Sequence, residues 1–273
     1  MAVLSELKKR VYDYWNAQSC GEQYAISIDN GLNLEKQAQE RYALEPYIYD
    51  FARYAETDNK DILELGVGMG ADHELWARSA SNRLCGVDLT ARAVDFTRQR
   101  LRRHGLKSNL CQADAEALPF DNDSFDLVYS WGVLHHSPDT PQCIAEVARV
   151  LRPGGIARIM IYHKWSLVGL MLWARYGLLA GTPLRSIEEI YFHHLESPGT
   201  AYSVVGARRI FRSAGFARVG IRVQLSHGDL LQGKVGARHR GVLLSIAVAL
   251  WPRALLRLVA ARLGLYLLID ARK

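Results

Sequence analysis

Residues 61–71 read D-I-L-E-L-G-V-G-M-G-A, and this stretch decides the fold. The apolar run of Ile62, Leu63 and Leu65 is typical of a strand that is buried on both faces. Glycines follow at alternate positions 66, 68 and 70, where the missing Cβ lets the backbone turn sharply and approach a ligand. Good helix formers occupy 71–80. The order strand, glycine turn, helix predicts a cradle for a nucleotide-type cofactor at the helix N-terminus.

The composition is that of a globular protein with one sizeable domain and insertions. The chain has 273 residues, of which 49% are hydrophobic and 23% charged, and its formal net charge is +6. Its four cysteines form no C-x-x-C pair, which leaves a zinc or thioredoxin-like site without support. No apolar run approaches the ~18 residues of a spanning helix, and the first residues do not resemble a signal peptide. We therefore expect a reduced, cytoplasmic protein.

Alternating strands and helices follow the glycine turn. Strands are predicted at 83–88, 109–113, 124–130 and 156–162, helices at 90–104 and 141–151, and a turn at R-P-G-G, 152–155. This spacing predicts an α/β fold with a doubly wound, Rossmann-like parallel sheet. A helix at 203–214, a strand at 219–225 and a last strand in G-L-Y-L-L-I-D-A-R-K, 264–273, complete the predicted elements.

The segments around this core differ from it in character. Two aromatic-rich helical stretches, 4–20 and 34–54, precede the first strand, and Pro46 is expected to bend the second. We predict an N-terminal helical cap at 1–58, which either only packs on the core or closes over the site as a lid. The core, 59–273, is interrupted by insertions at about 163–200 and 228–262.

The glycine turn alone leaves two kinds of cofactor open. Gly66-x-Gly68-x-x-Ala71 also satisfies the dinucleotide pattern, with Asp88 lying 22 residues beyond Gly66. Glu64 favours another cofactor, because a carboxylate before the turn engages a cationic amino group, whereas a pyrophosphate needs only N–H groups. A cofactor with an amino-acid tail therefore suits this turn better.

Acids at the next two strand ends extend the site. Asp88 ends the predicted second strand, where it can accept hydrogen bonds from two ribose hydroxyls. Asp114 follows the third strand and can accept from an adenine amine, while the Ala115 N–H can donate to a ring nitrogen. Together with the glycines, these residues outline an adenosine lying across the ends of three strands.

Five motifs in order resemble those of the class I S-adenosylmethionine-dependent methyltransferases. They are E-L-G-V-G-M-G (64–70), G-V-D-L-T (86–90), A-D-A-E-A-L-P-F (113–120), S-F-D-L-V-Y-S-W-G-V-L-H-H-S-P-D (124–139) and L-R-P-G-G (151–155). The chain is most similar, over roughly 60–162, to the methyltransferase type 11 group that contains the ubiquinone and menaquinone biosynthesis enzymes. The resemblance implies a seven-stranded sheet with an antiparallel last strand, and it displaces the dehydrogenase interpretation, since dinucleotide enzymes lack the later motifs.

The resemblance also assigns roles by position. It implies that the methionine part of S-adenosylmethionine is held by Glu64, Gly66, Gly68 and Gly70, the ribose by Asp88 and Leu89, and the adenine by Asp114 and Ala115. Ser130 and Trp131 would lie beside the sulfonium and the acceptor.

Two histidines after the predicted fourth strand are the candidate catalytic residues. A base at His135 or His136 can take a proton from a hydroxyl or thiol acceptor, and we expect His135 to face the site, with His136 as its support. No carboxylate stands in W-G-V-L-H-H, so no metal site is expected. Further acceptor-side candidates, for each of which packing or solvation is the better explanation, are Tyr14, Trp15, Tyr162, His163, His193 and His194.

The expected function is transfer of a methyl group from S-adenosylmethionine to O, N or S of a small, apolar or aromatic molecule by direct displacement. One alternative is a lipid-like quinone or other membrane-associated substrate, reached through peripheral membrane contact by the basic, apolar stretches 164–180 and 242–263. Another is nucleic acid, but no basic stripe with interleaved aromatics appears, so no nucleic-acid partner is expected. The identity of the acceptor and the oligomeric state are left open.

Overall fold

The computed structural model describes residues 5–25, 32–79, 81–196, 198–232, 251–259 and 262–273. Within these residues the strands are β1 Asp61–Leu65, β2 Arg83–Asp88, β3 Asn109–Gln112, β4 Phe125–Trp131, β5 Leu151–Tyr162, β6 Arg218–Gln224 and β7 Tyr266–Arg272. They form one sheet in the order β3-β2-β1-β4-β5-β7-β6. The first five strands are parallel, and β7 runs antiparallel between β5 and β6. The predicted α/β sheet with an antiparallel last strand is confirmed.

Helices flank the sheet on both faces. They are α1 Glu6–Ala17, α2 Glu22–Ala25, α3 Leu34–Leu44, α4 Tyr47–Ala52, α5 Ala71–Arg78, α6 Ala91–Arg103, α7 Thr140–Val150, α8 Leu167–Trp173, α9 Ile187–His194, α10 Val204–Ser213 and α11 Arg253–Val259. Three core helices begin at side chains that accept a hydrogen bond from the helix's own first turn: Thr90, Asp139 and Ser203. Each such cap stabilises its helix by about 1 kcal/mol.

The strand order places a crevice beside β1. The chain runs outward from β1 through β2 to β3 and then returns to β4 on the other side of β1. In open sheets of this kind the loops after the central strands diverge at that point and leave room for a ligand. All five residues of β1 are buried, as expected for a strand covered on both faces.

Two local predictions are wrong. The R-P-G-G stretch is not a separate turn but lies within β5, where Phe125 pairs with Leu151 and Leu127 with Ile156, so that 152–155 bulge out of the ladder. The strands pair on both sides of this bulge. Gly154 lies within it and adopts a left-handed backbone with φ of 80°. The predicted helix 34–54 is divided into α3 and α4 at Glu45 and Pro46, because Pro46 has no N–H to continue the first helix.

The flanking segments contain the remaining helices. α1 to α4 fall within the predicted N-terminal cap, α8 and α9 within the first insertion and α11 within the second. Residues 233–250, 260 and 261 of the second insertion lie outside the described residues. The division into cap and core, and any lid movement, stay predictions. In the described part of the chain, every helix is too short or too polar to cross a membrane.

Candidate active site

A cavity of about 230 Å³ lies at the carboxyl ends of the central strands. Its walls come from the glycine turn after β1, from the loops after β2, β3 and β4, and from α1 and α3 of the N-terminal segment. The residues predicted from the motifs that line it are Glu64, Gly66, Gly68, Gly70, Asp88, Leu89, Asp114, Ala115 and Trp131.

Ser130 is the predicted cofactor residue that does not line this cavity. Its side chain is fully buried, and its hydroxyl donates to the Leu65 carbonyl at 3.0 Å, which joins β4 to β1. Neighbouring residues of a strand point to opposite faces, so with Trp131 on the cavity wall Ser130 points away from it. Its role is therefore to position the strand ends.

Of the three glycines in the turn, Gly68 is the one with open space beside it. Gly66, Gly68 and Gly70 all have positive φ angles, of 79°, 52° and 76°. A Cβ on Gly66 would lie 2.1 Å from Val133 Cγ2, and one on Gly70 would lie 2.8 Å from Thr97 Oγ1. A Cβ on Gly68 would meet nothing within 4 Å. The outer glycines thus allow close packing, while Gly68 leaves the open space that a cofactor requires, and the residues present fit such a group.

Glu64 and Asp72 are buried acids whose pKa values are shifted in opposite directions. Glu64 Oε2 lies 2.8 Å from His73 Nδ1, and burial, reinforced by the charge of Asp72, raises the pKa of Glu64 well above its ordinary value. Burial alone would also raise the pKa of Asp72, but the Arg41 guanidinium, bound at 3.0 and 2.7 Å, outweighs it and lowers that pKa. Asp72 is therefore ionised at neutral pH, whereas Glu64 favours its protonated form.

Asp88 connects the glycine turn to the start of α6. Its Oδ2 accepts from the Gly68 N–H at 3.1 Å, and its Oδ1 accepts from the Thr90 N–H at 2.9 Å and hydroxyl at 3.0 Å. A carboxylate has about four acceptor positions, so these three donors leave room for about one more. Asp88 can thus take one ribose hydroxyl without giving up a contact that shapes the turn.

Asp114, the predicted adenine residue, already has a cationic partner. Lys8 of α1 donates to its carboxylate and also contacts Glu116, while Asp114 Oδ1 accepts from the Glu116 N–H at 2.9 Å. Burial alone would lower the pKa of Lys8, but both carboxylates outweigh it and raise that pKa. Nothing in the helical pattern of residues 4–20 distinguishes Lys8, because the contact is purely tertiary.

The structure reverses the expected orientation of the two histidines. His136 lines the cavity with its ring 5.1 Å from that of Trp15, whereas His135 is fully buried, away from the cavity wall, with its ring 3.9 Å from that of Tyr162. Both lie in a 3₁₀ turn, Leu134–His136, in which successive side chains diverge by roughly 120°. Burial lowers the pKa of His136 to about 4 and, helped by the neighbouring His136, holds the pKa of His135 well below its ordinary value, so both rings are neutral at pH 7.

Aromatic faces line the end of the cavity beyond the glycine turn. The rings of Tyr162 and Tyr266 lie nearly parallel with centroids 6.0 Å apart, and Trp131 meets Tyr266 edge-on at 5.7 Å. All three residues line the cavity together with Met160. This end therefore offers a flat, largely apolar surface to a ligand.

Two acids and a histidine that were not predicted from the sequence lie around these aromatic faces. The Tyr266 hydroxyl donates to Glu45 Oε1 at 2.6 Å, and the Tyr162 hydroxyl donates to Glu196 Oε2 at 2.9 Å. His227 also lines the cavity, with Nδ1 3.6 Å from Glu45 Oε1. Burial would lower the pKa of His227, but its interaction with Glu45 outweighs this and raises it. No sequence motif marks Glu45, Glu196 or His227, because they come from three distant segments.

Comparison with known proteins identifies the domain. Residues 63–159 match the family described as "Methyltransferase domain". A fatty-acid O-methyltransferase of Mycolicibacterium smegmatis is 35% identical over 122 residues, 44% of this chain and 43% of that protein. A phthiotriol/phenolphthiotriol dimycocerosates methyltransferase of Mycobacterium tuberculosis is 31% identical over 160 residues, 54% of this chain and 58% of that protein. The chain thus spans about half the length of these curated relatives.

A solved structure agrees at the level of the fold. The S-adenosylmethionine-dependent methyltransferase from Mesorhizobium loti superposes with a TM-score of 0.58 at 18% identity, covering 83% of this chain and 97% of that one. The ordered motifs, the seven-stranded sheet and the family match lead to one conclusion. Residues 63–159 match a methyltransferase domain, and the fold around them is the one found in S-adenosylmethionine-dependent methyltransferases.

Proposed function

We propose that this protein transfers the methyl group of S-adenosylmethionine to O, N or S of a small, apolar or aromatic acceptor by direct displacement. The aromatic end of the cavity carries this proposal, because Trp131, Tyr162 and Tyr266 continue the wall that begins at the glycine turn. The names of the two relatives, which refer to a fatty acid and to phthiotriol dimycocerosates, support a lipid-like acceptor.

S-adenosylmethionine brings an already activated methyl group, so the chain's own residues have to align an acceptor and exclude water. Val11 and Trp15 of α1 and Arg41 of α3 add walls from the N-terminal segment to the cavity. Alignment in such a closed site lowers the barrier by about 7 kcal/mol or more. The N-terminal segment thereby acts as the cover of the reaction site.

The residues at the strand ends would hold the cofactor by its separate parts. Glu64 and the glycine turn would bind the amino-acid part, Asp88 and Leu89 the ribose, and Asp114 and Ala115 the adenine. Because Lys8 already binds Asp114, the adenine amine would share that carboxylate with it or displace it.

A proton has to leave a hydroxyl or thiol acceptor, and two cavity histidines can receive it. Burial makes His136 a weak base, with a pKa of about 4, whereas Glu45 raises the pKa of His227. A general base works best when its pKa lies near the working pH, which favours His227 oriented by Glu45. A catalytic role for His135 or His136 stays a prediction, and the contact of His136 with Trp15 suits it to shaping the wall.

An acceptor screen tests this function. Purified protein is incubated with S-adenosylmethionine and hydroxylated fatty acids, quinols, aromatic amines, thiols or oligonucleotides, and S-adenosylhomocysteine release is measured. Release is expected with apolar or aromatic acceptors and is expected to fall in Asp88→Ala, which loses the turn and ribose contacts. Absence of S-adenosylmethionine binding in calorimetry would overturn the proposal, and activity confined to oligonucleotides would overturn the acceptor class.

A membrane-associated acceptor is the second candidate, and exposed leucines favour it. Leu179, following α8, and Leu258, on α11, are 77% and 81% exposed. Leu167 of α8 and Leu256 of α11 belong to the same small core, so the two segments lie on one side of the molecule. Arg257 adds positive charge beside Leu258. Apolar side chains interspersed with cations suit contact with an anionic lipid surface.

Liposome co-sedimentation tests this second candidate. The protein should pellet with vesicles of phosphatidylcholine and phosphatidylserine at low salt, and less with phosphatidylcholine alone. Leu179→Ser/Leu258→Ser should pellet less than the unchanged chain. If no protein pellets at low or high salt, the membrane contact is wrong.

A further inference from the structure

A chain of hydrogen bonds leads from the cavity wall into the protein at Glu64. Glu64 Oε2 lies 2.8 Å from His73 Nδ1, and His73 Nε2 lies 2.7 Å from Ser108 Oγ. The Ser108 hydroxyl in turn donates to the Leu84 carbonyl at 3.0 Å. His73 is fully buried, and Glu64 is 2% exposed and lines the cavity, so a ligand in the cavity can meet this chain of groups at Glu64.

Counting hydrogens assigns the protonation of the pair. The Ser108 hydroxyl has one hydrogen for two neighbours, and when it donates that hydrogen to the Leu84 carbonyl it accepts from His73 Nε2. A neutral His73 that donates from Nε2 has a bare Nδ1, which needs a donor. Glu64 supplies that donor only when its carboxyl group is protonated. The Glu64–His73 pair therefore holds one proton more than a carboxylate beside a neutral imidazole does.

Burial and the nearby charges determine whether Glu64 or His73 holds this proton. Burial and the negative charges of Asp72 and Asp88 raise the pKa of Glu64, although the positive charge of Arg41 opposes them. Burial also lowers the pKa of His73 to about 3, because it outweighs the opposite effect of the Asp72 charge. In this state the proton is on Glu64.

The His73 ring is also fixed in place from the side of β2. A Cβ on Gly86 would lie 2.5 Å from His73 Cε1, so only glycine lets the ring lie this close to the strand. His73 Nδ1 is consequently held at hydrogen-bonding distance from Glu64.

We propose that His73 is a positioning residue that stores the Glu64 proton: when the ammonium group of the cofactor lies against Glu64, the proton passes from the Glu64 carboxyl oxygen to His73 Nδ1. The O–H bond of Glu64 breaks, the N–H bond of His73 forms, and no proton enters or leaves the protein. The resulting carboxylate lies between two cations, the ligand ammonium and the imidazolium, and Ser108 continues to accept from Nε2. This inference rests on the proposed binding of the cofactor.

Nitrogen NMR of histidine-labelled protein tests the transfer directly. S-adenosylhomocysteine, which retains the ammonium group, should convert His73 Nδ1 from an unprotonated to a protonated nitrogen. Methylthioadenosine, which lacks the amino-acid part, serves as the matched ligand and should leave Nδ1 unchanged. The inference is overturned if Nδ1 stays unprotonated with S-adenosylhomocysteine bound, or if both ligands change it equally.

Calorimetry in buffers of different ionisation enthalpy provides a second readout. The unchanged protein should bind S-adenosylhomocysteine without releasing a proton. His73→Gln cannot store one, so it should release about one proton per ligand, and its affinity should fall ~10-fold for each unit of decreasing pH. His104→Gln, a histidine at the end of α6, is the control and should behave like the unchanged protein.

The outcomes separate this inference from the proposed function. Absence of S-adenosylhomocysteine binding to the unchanged protein contradicts the proposed function itself. Binding with equal proton release in the unchanged protein and in His73→Gln contradicts only the role of His73. If His73→Gln does not fold, the NMR experiment on the unchanged protein still decides.

Discussion

Lys8 donates to Asp114 across 106 residues of chain, and this contact fastens helix α1 to the loop that follows β3. Only 13% of the Lys8 side chain and 29% of that of Asp114 are exposed. The same carboxylate is the one that the motifs assign to adenine. Together with the bond of Arg41 to Asp72, this contact connects the N-terminal segment to the walls of the cavity.

Replacing Lys8 by Met should loosen α1 while leaving the sheet intact. A partly buried, charge-assisted hydrogen bond contributes about 1.5 kcal/mol, so hydrogen exchange of α1 amides should accelerate roughly tenfold. Lys9→Met is the matched control, because Lys9 is exposed and its ion-pair partner among the described residues is Asp13, one turn away. Equal exchange rates in the two variants would show that Lys8 does not hold the helix.

Substitution by alanine should have different effects on stability and ligand binding at Gly66 and at Gly68. Gly68→Ala should fold with a loss of about 1–2 kcal/mol for its left-handed backbone, yet lose S-adenosylhomocysteine binding because its Cβ enters the open space. Gly66→Ala should lose far more stability, since its Cβ would lie 2.1 Å from Val133 Cγ2. Thermal unfolding and calorimetry of both variants measure this, and normal ligand binding by Gly68→Ala would contradict it.

Arg41→Met should destabilise the protein by about 3–5 kcal/mol at pH 7, because it leaves the buried Asp72 carboxylate without its cation. In the unchanged protein the lowered pKa of Asp72 contributes stability above the unfolded-state pKa, which is lost as the pH falls. In the variant Asp72 is neutralised more readily. The difference in unfolding free energy should therefore shrink towards pH 4.

Urea unfolding at both pH values measures that difference. Arg78→Met, which removes a half-exposed pair with Glu74, is the control and should cost less than about 1 kcal/mol. A pH-independent difference for Arg41→Met would mean that the ion pair with Asp72 is not its cause.

His227→Asn should lower kcat/KM for a hydroxyl acceptor about 100-fold or more while leaving S-adenosylmethionine affinity unchanged. Because the neutral ring is the base, activity of the unchanged protein should rise with pH through the pKa of His227. Glu45 raises that pKa, so Glu45→Gln should move the rise to lower pH. Rate profiles over pH 5–9 measure both effects, with His136→Asn as the comparison. A profile that stays in place in Glu45→Gln would contradict the proposed pairing.

Local pattern predicted most elements closely. The predicted strand 83–88 coincides with β2, and Thr90 caps α6 as expected, because buried strands and helix starts depend on neighbouring residues. The bulge at 152–155 was mistaken for a turn because the same proline and glycines serve both. The cofactor residues assigned by the family motifs all line the cavity except Ser130.

The sequence by itself determined the sheet, the glycine turn and the acids at the strand ends, since the alternation of apolar runs, the missing Cβ and strand-end positions are properties of short segments. Only the tertiary structure decided that His136 rather than His135 faces the cavity, that Lys8 occupies Asp114, and that Glu45 and His227 meet at the aromatic end. It also brought Glu64, His73 and Ser108 within hydrogen-bonding distance of one another. These features depend on ring orientation, burial and charge among residues far apart in the chain, which no local pattern encodes.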